Sequence, residues 1–388
     1  MSPPQQWPRG PVSALHKAVR VGSEELTAAL LSKGSIDIDK GDPEGASPLM
    51  YAALKGYLSV AVMLLRKGAS TSVVSDGGFT ALHYASQNGH VALTILLLRA
   101  GADLEAHTNQ GSTPLHMAAR HGHCEVMKCL LEADADVDSR RIDGGTPLYL
   151  AAQEGHVEAI TQLLQKRANP LLPMTRQGYD FVPLDIAAQH SHLEAVRELI
   201  QRHTVVGCGG ASGGVFALRL AAQEQHIDIM SMLADAGVVD TGEALSAATG
   251  CGKEESVKFL LRQQHESRRS SGGVAYVNTR SPCGAMPLIG AVGSNGVCSP
   301  RIVRLLVDAG ADTTLAFRFT DRTGRVILND TPLRFASRCL NAKFLGGRDA
   351  TGEQLNRLET TVQLLSQVEA IYAVSWLWPS SDSPSLVL

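Results

Sequence analysis

In CEVMKCLLEA, residues 124–133, apolar side chains fall at Val126, Met127, Leu130 and Leu131, a spacing of one and three residues that predicts an amphipathic helix with one buried side. Just upstream, STPLHMAARHGH (112–123) sets Thr113 where a helix cap belongs and Pro114 in the first turn, where a missing N–H costs nothing. Leu115, Ala118 and Ala119 form a stripe whose small members allow close helix approach. Gly122 supplies the left-handed stop. The predicted unit is therefore two short antiparallel helices joined by a tight turn. The polar DADVDSRRIDGG that follows reads as an extended turn into the next unit.

The same pattern returns along the chain. SALHKAV, ASPLMYAA, FTALHYAS, STPLHMAA, GTPLYLAA, FVPLDIAA and VFALRLAA place their shared leucine at 15, 49, 82, 115, 148, 184 and 218, with intervals of 33 to 36 residues. Degenerate copies follow at Leu245, Leu288 and Leu333, separated by a deletion and two insertions. About ten units result. One unit cannot bury its own apolar face, so stacked neighbours must cover one another.

These residues resemble the TPLHxAA…GH…LL…GAD pattern of the ankyrin repeat family. The match is close at 79–103 and 112–136, good from 46 to 192 and thin beyond 240. The resemblance implies an all-α solenoid of about ten helix-turn-helix units with turn or hairpin fingers and a C-terminal capping helix. It also implies that partners are held on a concave side built from first-helix residues after the Ala pair and from turn tips. Carried onto this chain, that surface is Leu54 and Lys55, Gln87 and Asn88, Arg120 and His121, Gln153 and Glu154, Gln189 and His190, and Gln223 and Glu224. Phe79 and Ser112, which precede capping positions, join it, and Tyr51 and Tyr84 fall on first helices. The strip is polar, rich in Gln and mixed in charge, which suits a protein partner better than a phosphate backbone.

Within the quoted segment, His116, His121, His123, Cys124 and Cys129 raise the question of a metal site, because imidazole and thiolate bind zinc. The histidines are periodic instead: His116 matches His16 and His83, and His123 matches His90, His156, His192 and His226. Ligands converge on a point. The family resemblance assigns these imidazoles to hydrogen bonds that tie helix ends and turns to adjacent units. His121 stands where other units carry Asn88, Glu154, His190 and Glu224, and is expected to be exposed. Neither HEXXH nor paired CxxC occurs, so no metal or other cofactor is expected.

Composition narrows the picture. The chain has 388 residues, with Lys plus Arg 35 against Asp plus Glu 38, so its net charge of −3 supplies no broad field for nucleic acid or anionic membrane. Seven scattered cysteines without a CxxC pair fit reduced, packed thiols. The polar MSPPQQWPRGPVSALHK start lacks a signal-like apolar segment, and no run of eighteen apolar residues occurs. A cytoplasmic or nuclear monomer without membrane insertion is expected, and Asn329-Asp330-Thr331 reads as a chance glycosylation triplet.

The expected layout is a disordered 1–12, regular repeats over 13–204, divergent repeats over 205–340, a capping helix over 350–378 and a disordered 379–388. GCGGASGG (207–214) and TGCGK (249–253) fit neither GxGxxG nor GxxxxGK[ST] and read as loops. Residues 265–284 are expected to form a mobile insertion, in which Arg268-Arg269-Ser270-Ser271 offers a phosphorylation site. Alternation around Asp321-Arg322-Thr323-Gly324 predicts an enlarged hairpin over 315–329 that carries Phe317 and Phe319. In the last helix, Leu355, Leu358, Val362, Leu365 and Val368 share one side, and Trp376 and Trp378 are expected to anchor it on the core. The function expected is a non-catalytic scaffold or adaptor that binds a protein. The competing readings are a ubiquitin-ligase substrate receptor docked through the last helix, and an enzyme with a site in 200–388.

Overall fold

A computed structural model of the chain describes residues 12–33, 36–176, 178–202, 214–267, 276–280, 286–293, 298–315, 317–320, 326–342, 344–345, 348–349 and 351–377. Residues 1–11, 207–213, Arg268 to Ser271, the 321–325 hairpin tip, Trp378 and 379–388 lie outside these, so the expectations placed on them concern undescribed segments. The chain divides into two compact units, 1–204 and 205–388.

The first unit holds six helix pairs: Ala14–Arg20 with Glu24–Ser32, Pro48–Lys55 with Leu58–Arg66, Ala81–Gln87 with Val91–Arg99, Pro114–His121 with Cys124–Glu132, Pro147–Glu154 with Val157–Gln165, and Pro183–Gln189 with Leu193–Arg202. First helices pack on first helices and second on second, giving two layers. Local chemistry sets the boundaries. Ser13, Ser47, Thr80, Thr113 and Thr146 each cap a first helix by accepting the N–H three residues on. Gly56, Gly122 and Gly155 end first helices at φ 78°, 68° and 76°.

The core lies between the layers and between neighbours. Leu49, Leu82, Leu115 and Leu148, the shared leucines, are buried together with Ala52, Ala85, Ala118 and Ala151. Second helices contribute Val60, Leu64, Leu93, Leu97, Val126, Leu130, Ile160 and Leu163. The connecting fingers are stitched by one backbone bond per junction: Asp76 N–H to Glu44 O, Asn109 to Gly77, Ile142 to Gln110 and Thr175 to Asp143, at 2.9 to 3.1 Å. The extra residues between Leu148 and Leu184 form a small antiparallel hairpin, Met174–Arg176 with Tyr179–Phe181, which lengthens one finger.

The second unit holds Val215–Glu224 with Ile227–Asp235, Glu243–Gly250 with Glu254–Ser267, and Pro287–Gly293 with Pro300–Asp308. Pro332–Ala342 then packs against Gly352–Leu377. Phe317–Thr320 pairs antiparallel with Val326–Asp330 ahead of that last pair. Gly214 and Gly242 stand where other first helices have a Thr cap, and for Glu243–Gly250 Asp240 serves instead: its carboxylate accepts the N–H groups of Gly242, Ala244 and Leu245.

The C-terminal helix expected over 350–378 is Gly352–Leu377. It packs on Pro332–Ala342 and also on Pro300–Asp308, as the long second helix of the tenth and last described pair. Leu358, Thr361 and Leu365 are buried, with Leu358 against Cys298, Cys339 and Leu340. Replacing Leu365 by Ala is expected to cost about 3 kcal/mol and to lower the melting midpoint of the second unit, read by thermal denaturation; an unchanged midpoint would show that this helix is dispensable.

Candidate functional site

Two sets of histidines hold the pairs of the first unit together, and they determine which groups stay free. The first set lies at the third position of first helices. Thr113 N–H donates to Nδ1 of His116 at 3.1 Å, so Nε2 carries the proton and donates to Gly145 O of the next unit at 3.1 Å. His83 does the same with Thr80 N–H and Ser112 O, and the His16 Nε2 reaches Ala46 O at 3.0 Å. Burial, the main cause, lowers the His83 and His116 pKa values to about 4, so both rings are neutral at physiological pH.

The second set points backwards. His90 donates to Leu54 O, His123 to Gln87 O, His156 to Arg120 O and His192 to Gln153 O, at 2.9 to 3.2 Å. Each imidazole lies over the helix-ending glycine of the preceding unit. A Cβ built on Gly56, Gly89, Gly122 or Gly155 would sit 2.5 to 2.7 Å from the nearest atom of that ring. The periodic histidines are therefore inter-unit ties.

This arrangement consumes the backbone carbonyl of the residue after the Ala pair and leaves its side chain outside. Leu54, Gln87, Arg120, Gln153 and Gln189 are half-buried, and the residues that follow, Lys55, Asn88, His121, Glu154 and His190, are exposed. In the second unit Gln223 and Glu224 take the same two positions. Within the first unit the strip is internally bonded: the Arg120 guanidinium lies 3.6 Å from the Glu154 carboxylate, and Gln153 donates to the same carboxylate. His121 Nδ1 donates to Met117 O at 2.9 Å, and its ring stacks on His123 at 6.1 Å. His190 reaches Gln153 O at 2.9 Å.

Two positions differ from expectation. Ser112 is 4% exposed: its N–H donates to Thr108 Oγ1 and its carbonyl accepts from His83, so it is a buried link between its own finger and the preceding first helix and leaves the surface. Phe79 is half-buried, with its ring 5.4 Å from that of Tyr84 and 5.8 Å from that of His83, so it packs as well as borders the strip. The sequence reading missed Ile142, which is 81% exposed on a finger tip where the equivalent residues are Asp76 and Asn109. The visible signal was an aliphatic residue in an otherwise polar turn, RRIDGG.

Among the described residues no three His, Cys, Asp or Glu converge on a point that could hold a metal. Cys124 and Cys129 are half-buried on a second helix, and burial, with Glu158 beside Cys124, raises the Cys124 thiol to about 11. The second unit has a small cavity of about 90 Å³ bounded by Leu218, Val238, Asp240, Phe259 and Tyr276. Its carboxylate is occupied, holding three backbone N–H groups and the Tyr276 hydroxyl.

Comparison with known proteins agrees with the geometry. A family profile described as ankyrin repeats, three copies, matches residues 6–75, 68–141, 134–209 and 184–270. Part of the chain is 44% identical over 68 residues to palmitoyltransferase AKR1 of Naumovozyma castellii, covering 16% of this chain and 9% of that protein. A second likeness is 41% over 58 residues to E3 ubiquitin-protein ligase KEG of Arabidopsis thaliana, covering 15% of this chain and 4% of the ligase. The chain thus matches under a tenth of the length of either relative. Among the described residues no helix is long and apolar enough to cross a membrane.

Proposed function

The chain belongs to the ankyrin repeat family, and from that premise we propose that it is a non-catalytic scaffold or adaptor that holds a protein partner on the exposed ends of its first helices. The observation that carries this reading is the recurring pair after each Ala pair. There the histidine ties occupy the main chain, and Lys55, Gln87, Asn88, Arg120, His121, Gln153, Glu154, Gln189 and His190 place half-buried or exposed side chains along one strip. Gln223 and Glu224 extend the proposal to the second unit. Amides, one cation–carboxylate pair and imidazoles with a bordering aromatic are the adaptable contacts that protein interfaces use.

The likeness to a palmitoyltransferase and a ubiquitin ligase rests on 68 and 58 residues and gives no support for either chemistry in this chain. The ligase-receptor reading needed a last helix free to dock, and the buried Leu358–Leu365 side of that helix is used within the tenth pair.

The test is direct binding to a protein captured by the full chain, with Gln87, Asn88, Arg120, His121, Gln153 and Glu154 changed singly to Ala. A few of these substitutions are expected to weaken binding by about tenfold or more while the others change little. The melting midpoint should hold for the exposed Asn88, His121 and Glu154, which makes these three the decisive variants. Unchanged binding in all six variants would reject the reading.

A further inference from the structure

The second-helix layer carries an apolar face that the fold does not use. In the second and third pairs its outward positions are Leu58, Ser59, Val62 and Met63, then Val91, Ala92, Ile95 and Leu96, with no charge among them. The same positions hold Cys124, Glu125, Lys128 and Cys129 in the fourth pair, and Val157, Glu158, Thr161 and Gln162 in the fifth. Leu58 is 40% and Ile95 36% exposed, whereas Val62, Met63, Val91 and Leu96 are half-buried. Soluble surfaces seldom leave such a contiguous patch without a purpose.

One edge of this face is basic. Lys33, Arg66, Lys67 and Arg99 stand at the C-terminal ends of the first three second helices, all exposed and without an ion pair among the described residues. The carboxylates nearest in sequence accept backbone N–H groups of the loops: Asp37 from Asp39, Asp39 from Ser70 of the next unit, and Asp103 from Glu105. The fourth second helix reverses the sign at this end with Glu132 and Asp134. Cations in a last turn suit any helix dipole; here they run over three second helices, the first of which carries Glu24 and Glu25 at its opposite end, where the next two are uncharged.

We propose that this face binds one amphipathic helix of a partner protein, its leucine-type side on Leu58, Val62, Ile95 and Leu96 and a border of carboxylates along Lys33, Arg66, Lys67 and Arg99. Helices packed 8–10 Å apart make a row of three about 20 Å wide, which a crossing helix of about 14 residues spans at 1.5 Å per residue. The face is shallow, with most of its side chains half-buried, and that form accepts interdigitating knobs rather than projecting into lipid. This site lies on the opposite helix layer from the proposed partner strip, so the two stand or fall separately.

The experiment titrates the full chain with a synthetic 18-residue helix that carries Leu at i, i+3, i+4 and i+7 spacing and Glu along one border. A scrambled peptide of equal composition, a Lys-bordered helix and phosphatidylserine vesicles are the comparisons. The Glu-bordered helix is expected to bind, with affinity reduced about tenfold or more by Ile95→Asp and by the double change Arg66→Glu, Arg99→Glu. The double variant should then prefer the Lys-bordered helix, while circular dichroism and the melting midpoint stay as in the parent. The proposal is overturned by any of four results: no binding of the Glu-bordered helix, equal binding of the scrambled peptide, indifference to both variants, or binding of the vesicles alone.

Discussion

Gly122→Ala is expected to destabilise the first unit by about 3 kcal/mol, a loss read in urea or thermal denaturation. Gly122 sits at φ 68°, where any side chain costs about 1–2 kcal/mol. Its new Cβ would also lie 2.7 Å from the His156 ring. That ring cannot retreat freely, because its Nε2 is bound to Arg120 O. The chain contains its own comparison. Ser191 and Gln225 stand at φ 65° and 67° in the equivalent places of the sixth and seventh pairs, and the unit after the seventh has Lys253 in place of the imidazole. Backbone strain alone is tolerated there. In the double variant Gly122→Ala, His156→Ala, the two losses should fall short of additivity by about 1–2 kcal/mol, since the clash disappears with the ring. Strict additivity would show that the ring and the glycine are not coupled.

His116→Ala is expected to cost about 3–4 kcal/mol at neutral pH. The substitution leaves Thr113 N–H without the Nδ1 acceptor, frees Gly145 O of its donor, and opens a cavity at a fully buried site. The gap should close in acid. His116 titrates near 4 when folded and near 6.5 when unfolded, so its stabilising contribution is complete above about 6.5 and is lost as pH falls towards 4. That loss amounts to about 3 kcal/mol at 1.4 kcal/mol per pKa step. The variant has no such group and lacks that loss. Asp185 acts in the opposite sense: burial raises its carboxyl to about 7, so it gains stability on acidification, and for that reason the difference between parent and variant is the informative quantity. A gap that is constant from pH 7 to 4.5 would contradict the buried, neutral imidazole.

Much of this was legible in the sequence because each unit repeats its own chemistry. Thr113, Pro114, His116 and Gly122 recur in step with the core leucines, so helix starts, stops and inter-unit ties could all be read from the interval. Even Asp185, which stands where His116 and His83 do, keeps part of the role by accepting Val182 N–H in its own capping turn.

What escaped depended on contacts at a distance. Ser112 looks like any polar residue before a cap; only the His83 bond to its carbonyl shows it is buried. The last helix has no repeat signature, and its place as a second helix follows from packing on Pro300–Asp308. LSVAVMLLR and VALTILLLR read as core helices, since a pattern that is apolar on most sides does not say which side lacks a neighbour. Ile142 was hidden by the polarity of the turn around it.

The central claim is that the main-chain ties of the first-helix ends leave a row of side chains for a protein partner. It is tested most directly by placing a photo-crosslinking amino acid at His121 or Glu154 of the full chain in its native cell, with exposed Lys166 at the far end of a second helix as the comparison. Discrete protein adducts are expected from positions 121 and 154 and few from 166. Adducts from 166 alone, or none from the strip, would contradict it.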